Sequence, residues 1–210
     1  AYIKDFYKGK DVEIIHENEG YGFIVEIESD PNKPWIALRA DFDALPIHEE
    51  TKHVFKSKKD GIMHACGHDV HTAYMMVLAD ILLQHKNELG VNIKIIHQHA
   101  EEVPPGGAID FLKTKELDNV SAIFGSHIIP FYPSGTVVYR KGLMFAGSGV
   151  YHLKINGLAG HGSSPESAND AIIAGSYFVM AVQTIISRRL SALDSGVISI
   201  GSFDGKGIAN

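Results

Sequence analysis

Apolar residues along this chain follow two rhythms. Gly22 to Ile27 and Trp35 to Ala40 are short runs rich in β-branched and apolar residues, which predicts strands. Asp30-Pro31-Asn32 between them is a turn signal. From Val70 the spacing becomes helical: Val70, Ala73, Tyr74, Val77, Leu78, Ile81 and Leu82 fall on one helix face. Asp69 is placed to cap its start, and Gly90 follows its end. Val91 to His97 predicts a strand, Gly106 to Lys115 a helix entered after Pro104-Pro105, and Val120 to Ser126 another strand. Thr136 to Arg140 reads as a shorter one. Alternating strands and helices predict an α/β fold, a mixed and mostly parallel sheet with helices on both faces.

The texture loosens at Gly142 to Gly149, which is rich in glycine and small residues. A boundary there divides the chain into residues 1–145 and 146–210. The second part predicts a strand (Val150 to Asn156), a loop (Gly157 to Pro165), a long helix (about Asn169 to Arg189) and a strand (Val197 to Phe203). That helix is apolar around much of its circumference, so it is expected to contact more than one surface.

Composition narrows the class. With 210 residues, 45% hydrophobic and 21% charged, the chain suits one domain, or one domain and part of a second. A net charge of -6 disfavours a nucleic-acid partner, and the basic run Lys56 to Lys59 reads as a solvated loop. The single cysteine excludes an intrachain disulfide and fits a reducing compartment, so the expectation is a cytoplasmic protein. Ala73 to Leu83, interrupted by Asp80, is too short to span a bilayer, and no signal peptide or membrane partner is expected. The chain opens on Ala1 and stops just after a strand-like run, which reads as a piece of a longer protein.

Chemistry gathers where strands end and helices begin. Trp35 to Ala40 leads into Asp41 and Asp43; His64, Cys66 and His68 precede the long helix; Val91 to His97 leads to Glu101 and Glu102; Val120 to Ser126 leads to His127. Ligands of open α/β sheets bind beyond the carboxyl ends of the strands, so separate segments deliver metal-type residues to one edge. Cys66 and His68 offer a thiolate and an imidazole, good ligands for Zn and similar metals; alone, a cysteine is more often a small buried hydrophobe. The helix start is expected to favour the thiolate. Of the pair Glu101-Glu102, one carboxylate can bind metal while the other takes a proton from metal-activated water. His127 can supply a neutral imidazole. His64, His71, His97 and His99 read as supporting or structural, with His71 behind the ligands.

These segments resemble the N-acyl-amino-acid amidohydrolases, the group of hippurate hydrolases, indole-acetyl-amino-acid hydrolases and N-acetyl-diaminopimelate deacetylases. The resembling blocks are RADFDALPIHEET (Arg39 to Thr51), MHACGHDVHTA (Met63 to Ala73), HQHAEEVPPGGA (His97 to Ala108), GSHIIP (Gly125 to Pro130) and AGHGSSP (Ala159 to Pro165). The resemblance implies a zinc-peptidase-like catalytic domain and an α+β lid and dimerisation domain, here incomplete. It implies two divalent ions (Mn, Zn, Co or Ni), with Cys66 bridging them and His68, Glu102 and His127 as further ligands. It implies amide hydrolysis of N-acyl amino acids by a metal-bridging hydroxide, with Glu101 as general base. His161 would hydrogen-bond the developing oxyanion and can come from the partner of a homodimer; Asn210 would touch substrate; Asp41 and Asp43 would orient ligands. Val70, His99 and Glu166 depart from the family's usual residues and bear on substrate preference. The family's last histidine ligand and part of its sheet are expected beyond residue 210, and its first helix is expected to be missing, so the piece alone should bind metal poorly.

Other readings stay open at the level of sequence. They are a metallo-carboxypeptidase or dipeptidase of the same superfamily, a cysteine-nucleophile amidase with Cys66 activated by His68 or His64, and a non-catalytic binding protein.

Overall fold

The computed structural model describes residues 1–18 and 21–207. The chain divides between Ser134 and Gly135 into two units. The first holds α1 (Tyr2–Tyr7), β1 (Glu13–Asn18), β2 (Gly22–Ile27), β3 (Trp35–Asp41), α2 (His68–Gln84), β4 (Asn92–Gln98), α3 (Ala108–Leu112) and β5 (Val120–Gly125). The sheet is mixed, in the order β1-β2-β4-β3-β5. β3 runs parallel to β4 and β5, while β2 is antiparallel to both β1 and β4.

Strand alternation splits the core in two. Phe23, Val25, Ile27, Ala40, Ile93 and Ile95 pack against Tyr7 of α1 and Met75 and Ala79 of α2. Ile24, Ala37 and Ile96 face the other way and meet Phe111 of α3. Helices therefore cover both faces, and each fully buried Ile or Phe contributes about 1.5–3 kcal/mol. The central strand β4 is buried along its whole length. Its Asn92 side chain accepts from the Ser29 and Asp30 amides and donates to the Asp30 and Lys33 carbonyls, tying down the turn before β3.

Several sequence expectations are corrected. α1 and β1 carry too few apolar residues in regular spacing to stand out, and form because α1 covers the core and β1 pairs along the β2 edge. α2 begins at His68, with Gly67 at φ 78° before it and no side-chain cap, so Asp69 lies in the first turn and caps nothing. α2 ends at Gln84 rather than near Gly90. The predicted apolar face of α2 splits: Tyr74, Leu78 and Leu82 pack on the core, while Val70, Val77 and Ile81 are exposed. The buried face is instead His68, His71, Met75, Met76 and Ala79, because this helix turns its histidines inward.

The second unit holds α4 (Ala171–Val182) and α5 (Thr184–Arg189), with Gln183 between them. Asp170 caps α4, its carboxylate accepting from the Ile172 and Ile173 amides at 2.8 and 3.0 Å. The expected strands at 136–140, 150–156 and 197–203 are not formed among the described residues. An apolar run becomes a strand only against a partner, and among the described residues of this unit the pairing is a single Leu158–Asn169 bridge. Ile172, Ile173, Tyr177, Phe178, Met180 and Ile185 are exposed. By length and composition alone Ala171–Arg189 could cross a membrane, a test that core helices of soluble proteins also pass.

Two features of the first unit have measurable consequences in the full-length protein. His97 is fully buried between Phe23 and Tyr7, sharing a 2.9 Å hydrogen bond with the Tyr7 hydroxyl. Burial pulls its pKa down to about 4, so the folded chain holds it neutral while the unfolded chain protonates it near pH 6.5. Its stabilisation is complete above pH 6.5 and is lost as pH falls toward 4, about 3 kcal/mol in all. His97→Gln should flatten the thermal-stability slope between pH 6.5 and 4.5; an unchanged slope contradicts this. At the start of α3, a Cβ on Gly107 would lie 2.0 Å from the His99 carbonyl oxygen. Gly107→Ala should therefore destabilise by about 1–3 kcal/mol, and an unaltered melting temperature would refute that.

Candidate metal centre

The carboxyl ends of β3, β4 and β5 point to one edge, and the N-terminus of α2 lies beside them. β3 runs out through Asp41 to Asp43. β4 runs out through Gln98 to Ala100, which takes φ 49°, a backbone conformation costly for a residue with a Cβ. The Gly107 amide donates to the Ala100 carbonyl at 2.9 Å, which holds this bend and presents Glu101 and Glu102. β5 runs out to Ser126 and His127.

Three groups of potential ligands form here, each with its atoms within 4.8 Å of one another: Cys66, His68 and His127; His68, Glu101 and Glu102; and Asp41, His68 and His71. His68 belongs to all three. It is fully buried, and its Nδ1 lies 3.1 Å from both the carbonyl and the carboxylate of Asp43. Two acceptors require a proton on Nδ1, so in the neutral ring Nε2 presents a lone pair. That nitrogen has no hydrogen-bond partner, nor does buried Oε1 of Glu102, 3.8 Å away. The other Asp43 oxygen accepts the Glu102 amide at 3.0 Å, so one carboxylate positions both residues.

His127 is arranged in the same way. Its Nδ1 donates to the Ile128 carbonyl at 2.7 Å, and its Nε2 lies 3.3 Å from Cys66 Sγ. Cys66 therefore faces His127 rather than His64, which lines an apolar groove with Phe6 and Phe42. The sequence expectation that the helix start favours the thiolate is reversed. Burial, a hydrogen bond with Glu102, and the charges of Glu102, Glu101 and Asp41 push the Cys66 thiol up to about 11. A bare imidazole nitrogen on His68, an orphaned carboxylate oxygen on Glu102 and a thiol held protonated by burial and by neighbouring carboxylates fit a cation. Ligands on one Zn-like ion lie roughly 3–4 Å apart, and the Cys66–His127 and His68–Glu102 pairs, at 3.3 and 3.8 Å, fall in that range. An ion would also remove the cost of about 1–3 kcal/mol for each buried unpaired polar group.

His97 and His99 lie away from these groups. His97 sits in the core, and His99 Nε2 is 3.3 Å from Asp110. His161 belongs to the second unit and is exposed. Its Nδ1 accepts the Ser163 amide at 3.2 Å and lies 2.9 Å from the Ser163 hydroxyl, so the neutral ring carries its proton on Nε2. Asn210 lies outside the described residues. Sequence reading missed Arg39, whose guanidinium reaches Asp41 Oδ2 at 2.7 Å; its place two residues before Asp41, on the same strand face, was the available signal. It also missed Tyr74, read as packing alone.

Residues 37–200 match the Peptidase family M20/M25/M40. YhaA of Bacillus subtilis is 42% identical over 203 residues, 97% of this chain and 51% of that one. The N-acetylcysteine deacetylase of Bacillus subtilis is 42% identical over 85% of this chain and 47% of its own. A solved structure from methicillin-resistant Staphylococcus aureus, 50% identical, superposes with a TM-score of 0.78 over 100% of this chain and 56% of that one. Bacillus subtilis YxeP, described as a dinuclear metal-binding peptidase of the M20 family, is 44% identical with a TM-score of 0.59 over 63% of this chain and 37% of its own. The chain spans about half the length of the curated relatives it matches. With a family match covering most of its length, the chain belongs to Peptidase family M20/M25/M40.

Proposed function

We propose that this chain carries one half of the metal site of an amidohydrolase that cleaves the amide bond of N-acyl amino acids. The observation that carries the reading is the pair of buried, unpartnered ligand atoms, His68 Nε2 and Glu102 Oε1, beside Cys66 and His127. Relatives support the substrate class: besides the deacetylase above, an Arabidopsis thaliana hydrolase of IAA-amino acids is 42% identical over 84% of this chain. Cys66 would bridge two divalent ions, with His68, Glu102 and His127 as further ligands and the set closed by a residue elsewhere in the full-length protein. A thiolate, imidazoles and a carboxylate suit Zn, Mn, Co or Ni. When bound, such ions polarise the carbonyl and make water acidic near neutral pH.

The chain's own residues then divide the labour. Glu101 is exposed while Glu102 is half-buried, with its carboxylate within reach of His68 and Glu102. Its position suits taking the proton of the attacking water and returning it to the leaving amine. His161, with Nε2–H free to donate, would stabilise the oxyanion; the exposed apolar side of α4 supports pairing of two copies through residues 146–210, which would bring a partner's His161 to the site. Asn210 would contact substrate there, and residues 1–145 would form the catalytic domain. The lone cysteine supports a cytoplasmic location. A cysteine-nucleophile mechanism is disfavoured, because burial, reinforced by surrounding carboxylates, holds Cys66 protonated at neutral pH.

In the full-length protein, Glu101→Gln should lower kcat on acetyl- or benzoyl-amino acids by about 10²–10⁴-fold with metal content retained. Unchanged turnover sinks the general-base role. Activity should vanish in chelator and return with Mn, Zn, Co or Ni. Full activity in chelator, lost on thiol alkylation, would instead establish the cysteine mechanism.

A further inference from the structure

The third ligand-like group, Asp41, His68 and His71, is open to two readings: a place for an ion, or a support. We infer that Asp41 and His71, with Arg39 and Tyr74, form a fixed clamp that positions His127, and that His71 is not a ligand. This rests on the metal reading above and deepens it.

Both ring nitrogens of His71 are committed. Nε2 accepts the Ile128 amide at 2.9 Å. A backbone N–H can only donate, so Nε2 is unprotonated and the proton sits on Nδ1. Nδ1 donates to Asp41 Oδ1 at 2.6 Å. No lone pair is left for an ion. Asp41 is held in turn: its Oδ2 pairs by charge with Arg39 Nη1 at 2.7 Å without a hydrogen bond, and Arg39 Nε donates to Gln98 Oε1 at 2.8 Å. His71 and Asp41 are each 1% exposed, so water does not compete for these bonds. The chain of contacts ties β4, β3 and α2 to the peptide that follows His127.

α2 also holds the peptide before His127. The Tyr74 hydroxyl donates to the Ser126 carbonyl at 3.3 Å and accepts from the Ser126 hydroxyl at 2.8 Å. His71 and Tyr74 lie three residues apart, one above the other on the helix. His127 is thus pinned on both sides by the helix that supplies His68. The His71 and His127 rings meet edge to face at 4.7 Å. His127 itself is exposed, so its loop has little burial to fix it and depends on these bonds. Its ring nitrogen stays 3.3 Å from Cys66 only while Ser126 and Ile128 are held. Supporting contacts of this kind are worth roughly 10–100-fold in metal affinity.

The test uses full-length protein loaded with Co(II), read by its visible spectrum and by competition with a chromophoric chelator. His71→Phe keeps the ring volume and loses both hydrogen bonds; it should bind two ions, roughly 10–100-fold more weakly at the one held by His127, with a changed ligand-field band. His71→Gln can accept from the Ile128 amide and donate to Asp41, and should recover most of the affinity and the spectrum. Tyr74→Phe removes one hydroxyl and should weaken the same ion by a smaller factor; it serves if His71→Phe does not fold. The clamp is overturned if His71→Gln and His71→Phe both lose one ion entirely, which makes His71 a ligand. It is equally overturned if the folded variants bind cobalt with unaltered affinity and spectrum. Wild-type protein that binds no cobalt would instead refute the metal reading itself.

Discussion

Everything at this site depends on a buried imidazole with one nitrogen tied and the other bare. His68 is enclosed, its Nδ1 held by Asp43 and its Nε2 facing the unpartnered oxygen of Glu102. A buried donor or acceptor left unpaired costs about 1–3 kcal/mol, and three such atoms, His68 Nε2, Glu102 Oε1 and Asp41 Oδ2, gather at this edge. His127, though exposed, is arranged alike: its Nδ1 donates to the next carbonyl and its Nε2 faces Cys66. Asp43 fixes two candidate ligand residues, His68 and Glu102, with one carboxylate, and Asp41 holds His71, whose ring accepts the amide that follows His127. The acidic surroundings that hold Cys66 protonated are those that would favour a cation. Metal loading should then release the thiol proton.

The sheet makes this possible by direction. β3, β4 and β5 are parallel, so their carboxyl ends open onto the same edge, and the crossover helix α2 begins there. The antiparallel strands β1 and β2 extend the opposite side of the sheet and carry none of these residues. Rigid β4, buried throughout, anchors the bend at Ala100 that presents the two glutamates.

Much of the first unit was legible because its strands are short apolar runs bounded by turn residues, and burial on both faces of β4 gives a continuous signal. The segments that carry the candidate ligands could be picked out because each follows a strand or precedes a helix, and the structure brings them to one edge. What stayed hidden depends on partners. β1 is half polar and becomes a strand only along β2. The buried face of α2 was misjudged because apolar spacing cannot say that His68 and His71 point inward in place of Val70 and Val77. The runs at 150–156 and 197–203 have strand composition but no ladder among the described residues. Arg39 and Tyr74 look like ordinary strand and helix residues until the ion pair to Asp41 and the hydrogen bond to Ser126 are seen.

The central proposal is that Cys66, His68, Glu102 and His127 would together hold two divalent ions, with Cys66 shared between them. Anomalous diffraction at the metal edge from crystals of the full-length protein tests it most directly. The account predicts two peaks roughly 3.5–4 Å apart, with Cys66 Sγ between them and His71 bound to neither. One peak or none at this edge, or two peaks with the Cys66 sulfur turned away, would contradict it.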